Sequence, residues 1–205
     1  MKIDPGNLDY LSSHKIFGSV IAPRPIAFVS TVGADGIFNL APYGLFTAVS
    51  LKPVLIGFNV AWKKDGSKKD TLINIESAKE FVICIVTEAL AEPMNKSSNS
   101  YPITIDEFKE VGLTPRKADF VKAPLVAESP INLECRLTQT LEFGENPYKS
   151  SFLIGEVLRV HIKDEFFVDG KIQMSELKVI GRLGGSGLYC RMTDLFEMKR
   201  PGPFD

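Results

Sequence analysis

Two stretches of the chain bring together residue types that can hold a polar ligand. The first is Arg24-Pro25-Ile26-Ala27-Phe28-Val29-Ser30-Thr31, an apolar run ending in two hydroxyls, followed by Val32-Gly33-Ala34-Asp35-Gly36 and then Asn39-Leu40-Ala41-Pro42. Glycines and an aspartate permit the positive φ of a tight reversal, so the hydroxyls and the Asn39 amide are expected at the same end of one hairpin. Taken alone, such residues serve equally well to satisfy turn backbone. The second stretch, residues 61–71, is a polar loop with Lys63, Lys64, Lys68 and Lys69 that runs into Leu72, Ile75 and Ala78, apolar positions on one helical face. Asp70 or Thr71 is expected to cap this helix. Free N–H groups at its start, a hydroxyl and adjacent lysines suit an anion such as a phosphate. The plainer alternative is a solvated lysine loop.

Other familiar chemistries are missing from the pattern. Residues 181–189 are glycine-rich, but they lack the spacing and strand–helix setting of a dinucleotide fingerprint and are not a Walker loop. Cys84, Cys135 and Cys190 are far apart and show no metal or disulfide spacing. His14 stands alone, and His161 near a strand end reads as structural. Neither a catalytic dyad nor a metal set emerges.

The elements that must position these groups come in quick succession. Strands are expected at 25–31, 37–41, 53–60, 80–87, 131–141 and 151–163, helical segments at 88–98 and 105–111 as well as after the lysine loop. Thr104 to Glu107 fits a capping box and Gly112 a helix stop. In 131–141 the alternation puts Leu133, Cys135 and Leu137 on one face and Asn132, Glu134 and Arg136 on the other, as in a half-buried strand. Residues 112–130, with Pro115, Pro124 and Pro130, read as an extended connection. Residues 8–22 lack clean periodicity and read as a leading segment with at most a short strand. The tail 199–203 is turn-rich. Six to eight strands, two or three short helices and no βαβ alternation indicate a mainly β fold, an antiparallel barrel with added helices, in one domain over 1–205.

Hydrophobic residues make up 44% and charged residues 24%, as in a soluble globular protein. Twenty-four basic against 25 acidic residues give a net charge of -1, without the basic footprint of a nucleic-acid binder. No apolar run reaches the roughly 20 residues of a membrane span, and the first residues have no signal-peptide core, so a reduced cytoplasmic setting is expected. Fourteen Phe suit a strand-rich core before they suit a flat ligand.

The run from Arg24 to Thr31, then Asn39-Leu40-Ala41-Pro42, then Lys69-Asp70-Thr71 with Asn74, resembles the flavin reductase-like, FMN-binding split-barrel family that includes flavoredoxin. Glu107-Phe108, Gly112-Leu113-Thr114, Leu133-Glu134-Cys135, Gly155-Glu156-Val157 and Leu183-Gly184-Gly185 with Tyr189 agree, so the resemblance spans roughly residues 10 to 190. It implies a six-stranded Greek-key split barrel, a homodimer and one FMN per subunit near the interface. Carried over by residue, it sets Phe28, Val29, Ser30 and Thr31 along the flavin and Asn39, Ala41 and Pro42 by its ring. Lys69, Asp70 and Thr71 would serve the phosphate, and Arg24 and Tyr189 complete the set. The sequence departs from the family at Gly44, where a Ser usually follows the Ala-Pro-aromatic triplet. Backbone N–H groups of 39–44 are then the expected donors to the ring's polar edge.

The reaction implied is hydride transfer from NADH or NADPH to flavin N5, which needs ring stacking and no obligatory acid–base residue. Two other readings compete: an FMN electron carrier reduced by a partner protein, and a dimer that binds flavin, or another aromatic cofactor such as haem, without turnover.

Overall fold

The hairpin expected around Gly33 and Gly36 forms. Strand β1 (Ala27–Val32) pairs antiparallel with β2 (Phe38–Tyr43), Thr31 opposite Asn39, and Gly36 takes a φ of +83° that a side chain would disfavour. The structure, a computed structural model, describes residues 1–185, 187–199 and 201–202. Part of the glycine-rich loop and part of the expected turn at 199–203 lie outside those residues.

Strands β3 (Phe46–Leu51), β4 (Val54–Ala61) and β5 (Glu80–Ile85) follow, then the short β6 (Pro115–Arg116) and β7 (Leu125–Val126). Two long strands, β8 (Ile131–Phe143) and β9 (Ser150–Ile162), complete the main sheet. The short β10 (Phe167–Val168), β11 (Lys171–Ile172), β12 (Ile180–Arg182) and β13 (Tyr189–Arg191) form two ribbons beside it. The seven-stranded antiparallel sheet has the order β2-β1-β5-β8-β9-β4-β3. Its two edge strands, β2 and β3, are joined only through Gly44 and Leu45, so the sheet has to curl until the edges meet. Asn59 N–H donates to Leu45 O (3.0 Å), which carries the β3–β4 ladder up to that corner. Counted as one strand bent at a barrel corner, β2–β3 makes the barrel six-stranded. With β5 returning beside β1, the strands follow the 4-1-2-3 order of a Greek key.

Alternation along β1 and β5 feeds two cores. Val29, Phe58, Phe81 and Ile83 fill the barrel interior, joined by Leu72 and Ile75 of α2 (Asp70–Ala78), which plugs one mouth. Ile26, Phe28, Val82 and Cys84 point outward, under α3 (Ala91–Lys96), α4 (Glu107–Val111) and the connection before β8. Burial on both faces explains why 81–86 reads as an unbroken apolar run. The helix α5 (Met174–Leu177) lies near the end of the chain.

Three expectations change. Residues 10–20 form a helix, α1 (Tyr10–Val20), capped by Asp9, which accepts from Ser12 N–H (2.9 Å). None of its side chains is buried, which is why no core-facing stripe shows in the sequence. The cap of α4 is Asp106, accepting from Lys109 N–H, and not Thr104. In β8, register shifts between Glu134 and Cys135 and between Leu137 and Gln139 break the alternation, and Asn132 and Glu134 are buried. Glu134 accepts N–H groups of Asp119, Phe120 and Val121 and contacts His161 Nε2 at 2.6 Å, so it anchors the loop that covers it. Burial pushes its carboxyl up, but these partners more than offset that and hold it below the ordinary range.

Tight seating of Phe81 against Gly155 is a requirement of the barrel interior. A Cβ at Gly155 would lie 2.4 Å from the Phe81 ring and 3.3 Å from Arg136 O. Gly155→Ala is expected to destabilise the protein by about 1–3 kcal/mol in urea unfolding. A change within error would mean that the strands yield freely there.

Candidate functional site

Strand β2 runs between α2, against its inner face, and α4, against its outer face, and beside it lies an open cleft of about 280 Å³. Asn39, Ala41, Pro42 and Tyr43 line one side, Lys63 and residues 69–71 another, and residues 97–101 with Glu107 the third. Six of the residues expected from sequence therefore share one cleft: Asn39, Ala41, Pro42, Lys69, Asp70 and Thr71.

The Asn39 side chain ties the walls together. Its Oδ1 accepts from Thr71 Oγ1 (2.6 Å) and Thr31 Oγ1 (3.2 Å), and its Nδ2 donates to Glu107 Oε2 (2.6 Å). Asn74 Nδ2 donates to Thr31 Oγ1 (3.0 Å), and Leu40 N–H also goes to Glu107. Each buried member is thus satisfied by another, which holds β1, β2, α2 and α4 in one arrangement. The Leu40 N–H is consequently engaged and Pro42 has none, so the expected supply of free backbone donors along 39–44 is reduced.

The α2 start differs from expectation in one respect. Its N-cap is Lys69, which offers no capping side chain; Asp70 instead meets Lys63 Nζ at 3.2 Å, and Thr71 serves Asn39. The first turn therefore keeps the anion-binding character of an uncapped helix N-terminus. Lys68 is committed to Glu76 (2.7 Å). Lys69 pairs with no carboxylate among the described residues, and its ammonium stands 5.9 Å from the centre of the Tyr43 ring. Protein packed around that ammonium, then the charge of Lys63, draws its pKa down. Burial likewise keeps the Tyr43 phenol protonated.

Elsewhere the side chains expected at the site are not in the cleft. Phe28 and Val29 are fully buried, one in each core, and back the β2 wall instead of lining it. Ser30 is buried with its Oγ unpaired among the described residues, and Thr31 contributes through Asn39. Arg24 and Tyr189 lie together beyond Gly44, near Arg182. Glu107 and residues 97–101 are cleft residues that the sequence did not assign to the site; Glu107 sat inside a helix-capping pattern, which concealed its second use.

A family model described as flavin reductase like domain matches residues 19–173. The chain belongs to this family. It is 34% identical over 203 residues to an uncharacterised protein of Halalkalibacterium halodurans, covering 98% of this chain and 97% of that one. The solved structure of nitrilotriacetate monooxygenase component B from Bacillus cereus matches with a TM-score of 0.91 at 32% identity, over 97% of this chain and 98% of that chain. The 2-nitrobenzoate 2-nitroreductase of Pseudomonas fluorescens matches with a TM-score of 0.88 at 28% identity, over 98% and 96%. Family membership makes this a flavin-binding fold of the oxidoreductase type. No helix among the described residues is long and apolar enough to cross a membrane.

Burial, and then the nearby charge of Asp70, pushes the Glu107 carboxyl up from 4.5 to about 7, against the pull of Leu40 N–H and the Asn39 amide. A carboxyl whose folded pKa lies above its unfolded value favours the fold while protonated. Its contribution is therefore full below pH 4.5 and lost as pH rises to about 7. Glu107→Gln keeps an acceptor oxygen and removes the titration. Relative to that variant, the wild type is expected to lose roughly 1–3 kcal/mol of unfolding free energy across this window in urea titrations. Parallel pH profiles would show that Glu107 is already ionised throughout.

Proposed function

We propose that the cleft holds FMN and that the protein is an NAD(P)H-dependent flavin reductase. The observation that carries this is Lys69, without a carboxylate partner, beside the uncapped start of α2 and at the rim of a cleft walled by Pro42 and Tyr43. A phosphate fits there: it gains the charge of Lys69 and the N–H groups of the first turn, while Lys63 neutralises Asp70. Among the described residues this is the one such position in the cleft, which suits a mononucleotide. Pro42 and Tyr43 offer a rigid flank to a flat ring, and the Asn39 network holds that flank still. FMN, when bound, supplies the hydride acceptor; the chain supplies position, orientation and exclusion of water. The two structural neighbours named above bear the names of redox proteins, a monooxygenase component and a nitroreductase, in keeping with this reading.

Absorption spectra of the purified protein, followed by anaerobic NADH and separately NADPH, test it. Flavin bands that bleach support direct hydride acceptance. Bands that persist favour an electron carrier served by another protein, and no bands even after added FMN would remove the reading. Lys69→Ala is expected to weaken FMN binding by about 1.5–3 kcal/mol, the value of a hydrogen bond to a charged group, in a fluorescence-quenching titration. Unchanged affinity would place the phosphate elsewhere.

A second copy of the chain belongs to the same proposal. Helix α1 buries no side chain in its own subunit, and Leu11, Val20 and Ile21 on or beside it are exposed, as are Val49 and Leu51 on β3. Apolar surface of this kind calls for a protein cover, and a homodimer supplies it. Light scattering is expected to give twice the chain mass for the wild type and the monomer mass for Val20→Glu with Leu51→Glu. A dimer surviving both changes would use another surface.

A further inference from the structure

Beyond the cleft, at the bend where β2 becomes β3, two arginines meet without a counter-charge among the described residues. The backbones of Arg24 and Arg182 bridge one another, Arg24 N–H to Arg182 O at 2.9 Å and Arg182 N–H to Arg24 O at 2.8 Å, so both side chains start from one place. Arg24 is buried. Its Nη1 donates to Gly18 O and its Nη2 to Leu183 O (3.2 Å), but its enclosed Nε has no partner among the described residues. Arg182 is only partly buried; its guanidinium lies 4.6 Å from the centre of the Tyr189 ring and reaches Gly185 O at 3.4 Å. Neither arginine has a carboxylate at salt-bridge distance among the described residues.

Gly44 stands between them. Among the described residues and apart from its chain neighbours, the heavy atoms nearest to a Cβ built there would be Arg24 Nε and Arg182 Cγ, each at 3.8 Å, and the φ of Gly44 is not positive. The residue is therefore not demanded by backbone geometry. Its missing side chain leaves a small notch 3.8 Å from the enclosed Nε. Burial, then the charge of Arg182, pulls the Arg24 pKa down, as expected for like charges held together in a partly desolvated place. An enclosed N–H without an acceptor and two adjacent cations without an anion are both unfavourable, and one oxyanion would relieve both. Guanidinium groups match carboxylate and phosphate oxygens in geometry as well as charge.

We propose that this notch is an oxyanion subsite, with Arg24 Nε and Arg182 as donors and Gly44 as its floor, which anchors the carboxylate or phosphate of the second substrate. The cleft wall ends at Tyr43 and the notch begins at the next residue, so a molecule anchored here extends along β2 toward the cleft. The assignment of that molecule as the flavin's reaction partner rests on the reading above; the binding of an oxyanion does not.

The test is the melting temperature of the FMN-saturated protein at constant ionic strength in sodium chloride, sodium benzoate and sodium phosphate. A saturable rise with benzoate, phosphate or both, beyond chloride, is expected. Benzoate alone would identify a carboxylic acid substrate, phosphate alone the phosphate of a nucleotide, and no rise with either overturns the subsite. Gly44→Ala fills the notch without altering either charge, and Arg182→Gln removes one donor. Both are expected to raise the half-saturating anion concentration by at least about tenfold. Arg182→Gln is also expected to melt no lower than wild type in chloride, because a like charge beside Arg24 is gone. An undiminished response in Gly44→Ala overturns the proposal whatever Arg182→Gln does to folding. Repeating the benzoate titration on flavin-free protein separates the two ideas. A response lost with Gly44→Ala in a chain that shows no flavin bands would refute the FMN reading and leave the subsite standing.

Discussion

Strand β2 pairs with β1, and through Gly44 and Leu45 it becomes β3, which pairs with β4 at the opposite end of the sheet order. Since the chain cannot span a gap between those edges, the sheet must close, and almost everything else of interest follows from that closure. It removes the exposed edges a seven-stranded open sheet would carry. It makes room inside for Phe58 and Phe81, whose rings meet edge to face at 5.5 Å, and leaves a mouth that α2 fills with Leu72 and Ile75. It also sets the Asn39–Tyr43 face of β2 against the start of α2, beside which the cleft lies.

Within the cleft, polar groups are arranged so that few are left over. Asn39 accepts from two threonines and donates to a buried carboxylate, and the charge of Asp70 is answered by Lys63. Against that background of satisfied groups the exceptions carry information. Lys69 and the uncapped helix start are one. The Nε of Arg24, enclosed and unpaired, is another. Native structures leave few buried donors unpaired, and those they do leave tend to mark places where a ligand completes the structure.

These two exceptions, unlike the buried Ser30 hydroxyl, flank β2 along its length. Lys69 and Thr71 stand at the side of Asn39 and Tyr43, and the arginine pair stands past Gly44. An elongated reaction partner held at the arginine notch and a flavin held at the lysine would be brought side by side by one strand whose position is locked by barrel closure. Rigid placement of this sort is what a reaction limited by ring contact needs.

Local chemistry alone determined a good deal. The reversal after Thr31, the helix that starts near Asp70, the run at 80–85 and the helix ended by Gly112 follow from turn residues, caps and periodicity within a few positions. Ordered together, they carry the resemblance that the family match upholds. What the sequence could not decide were features set by contacts between distant segments. Helix α1 shows no stripe because its chain buries none of it, and Glu134 passes for an outward strand residue until register shifts and a covering loop enclose it. Glu107 reads as part of a capping pattern and becomes a partner of Asn39 only when α4 folds over β2. Phe28 and Val29 put their side chains into the two cores, because strand alternation tells which residues share a face but not which face meets the cleft. Burial and pairing across the barrel are sums over the whole chain, so they were decided by the tertiary structure.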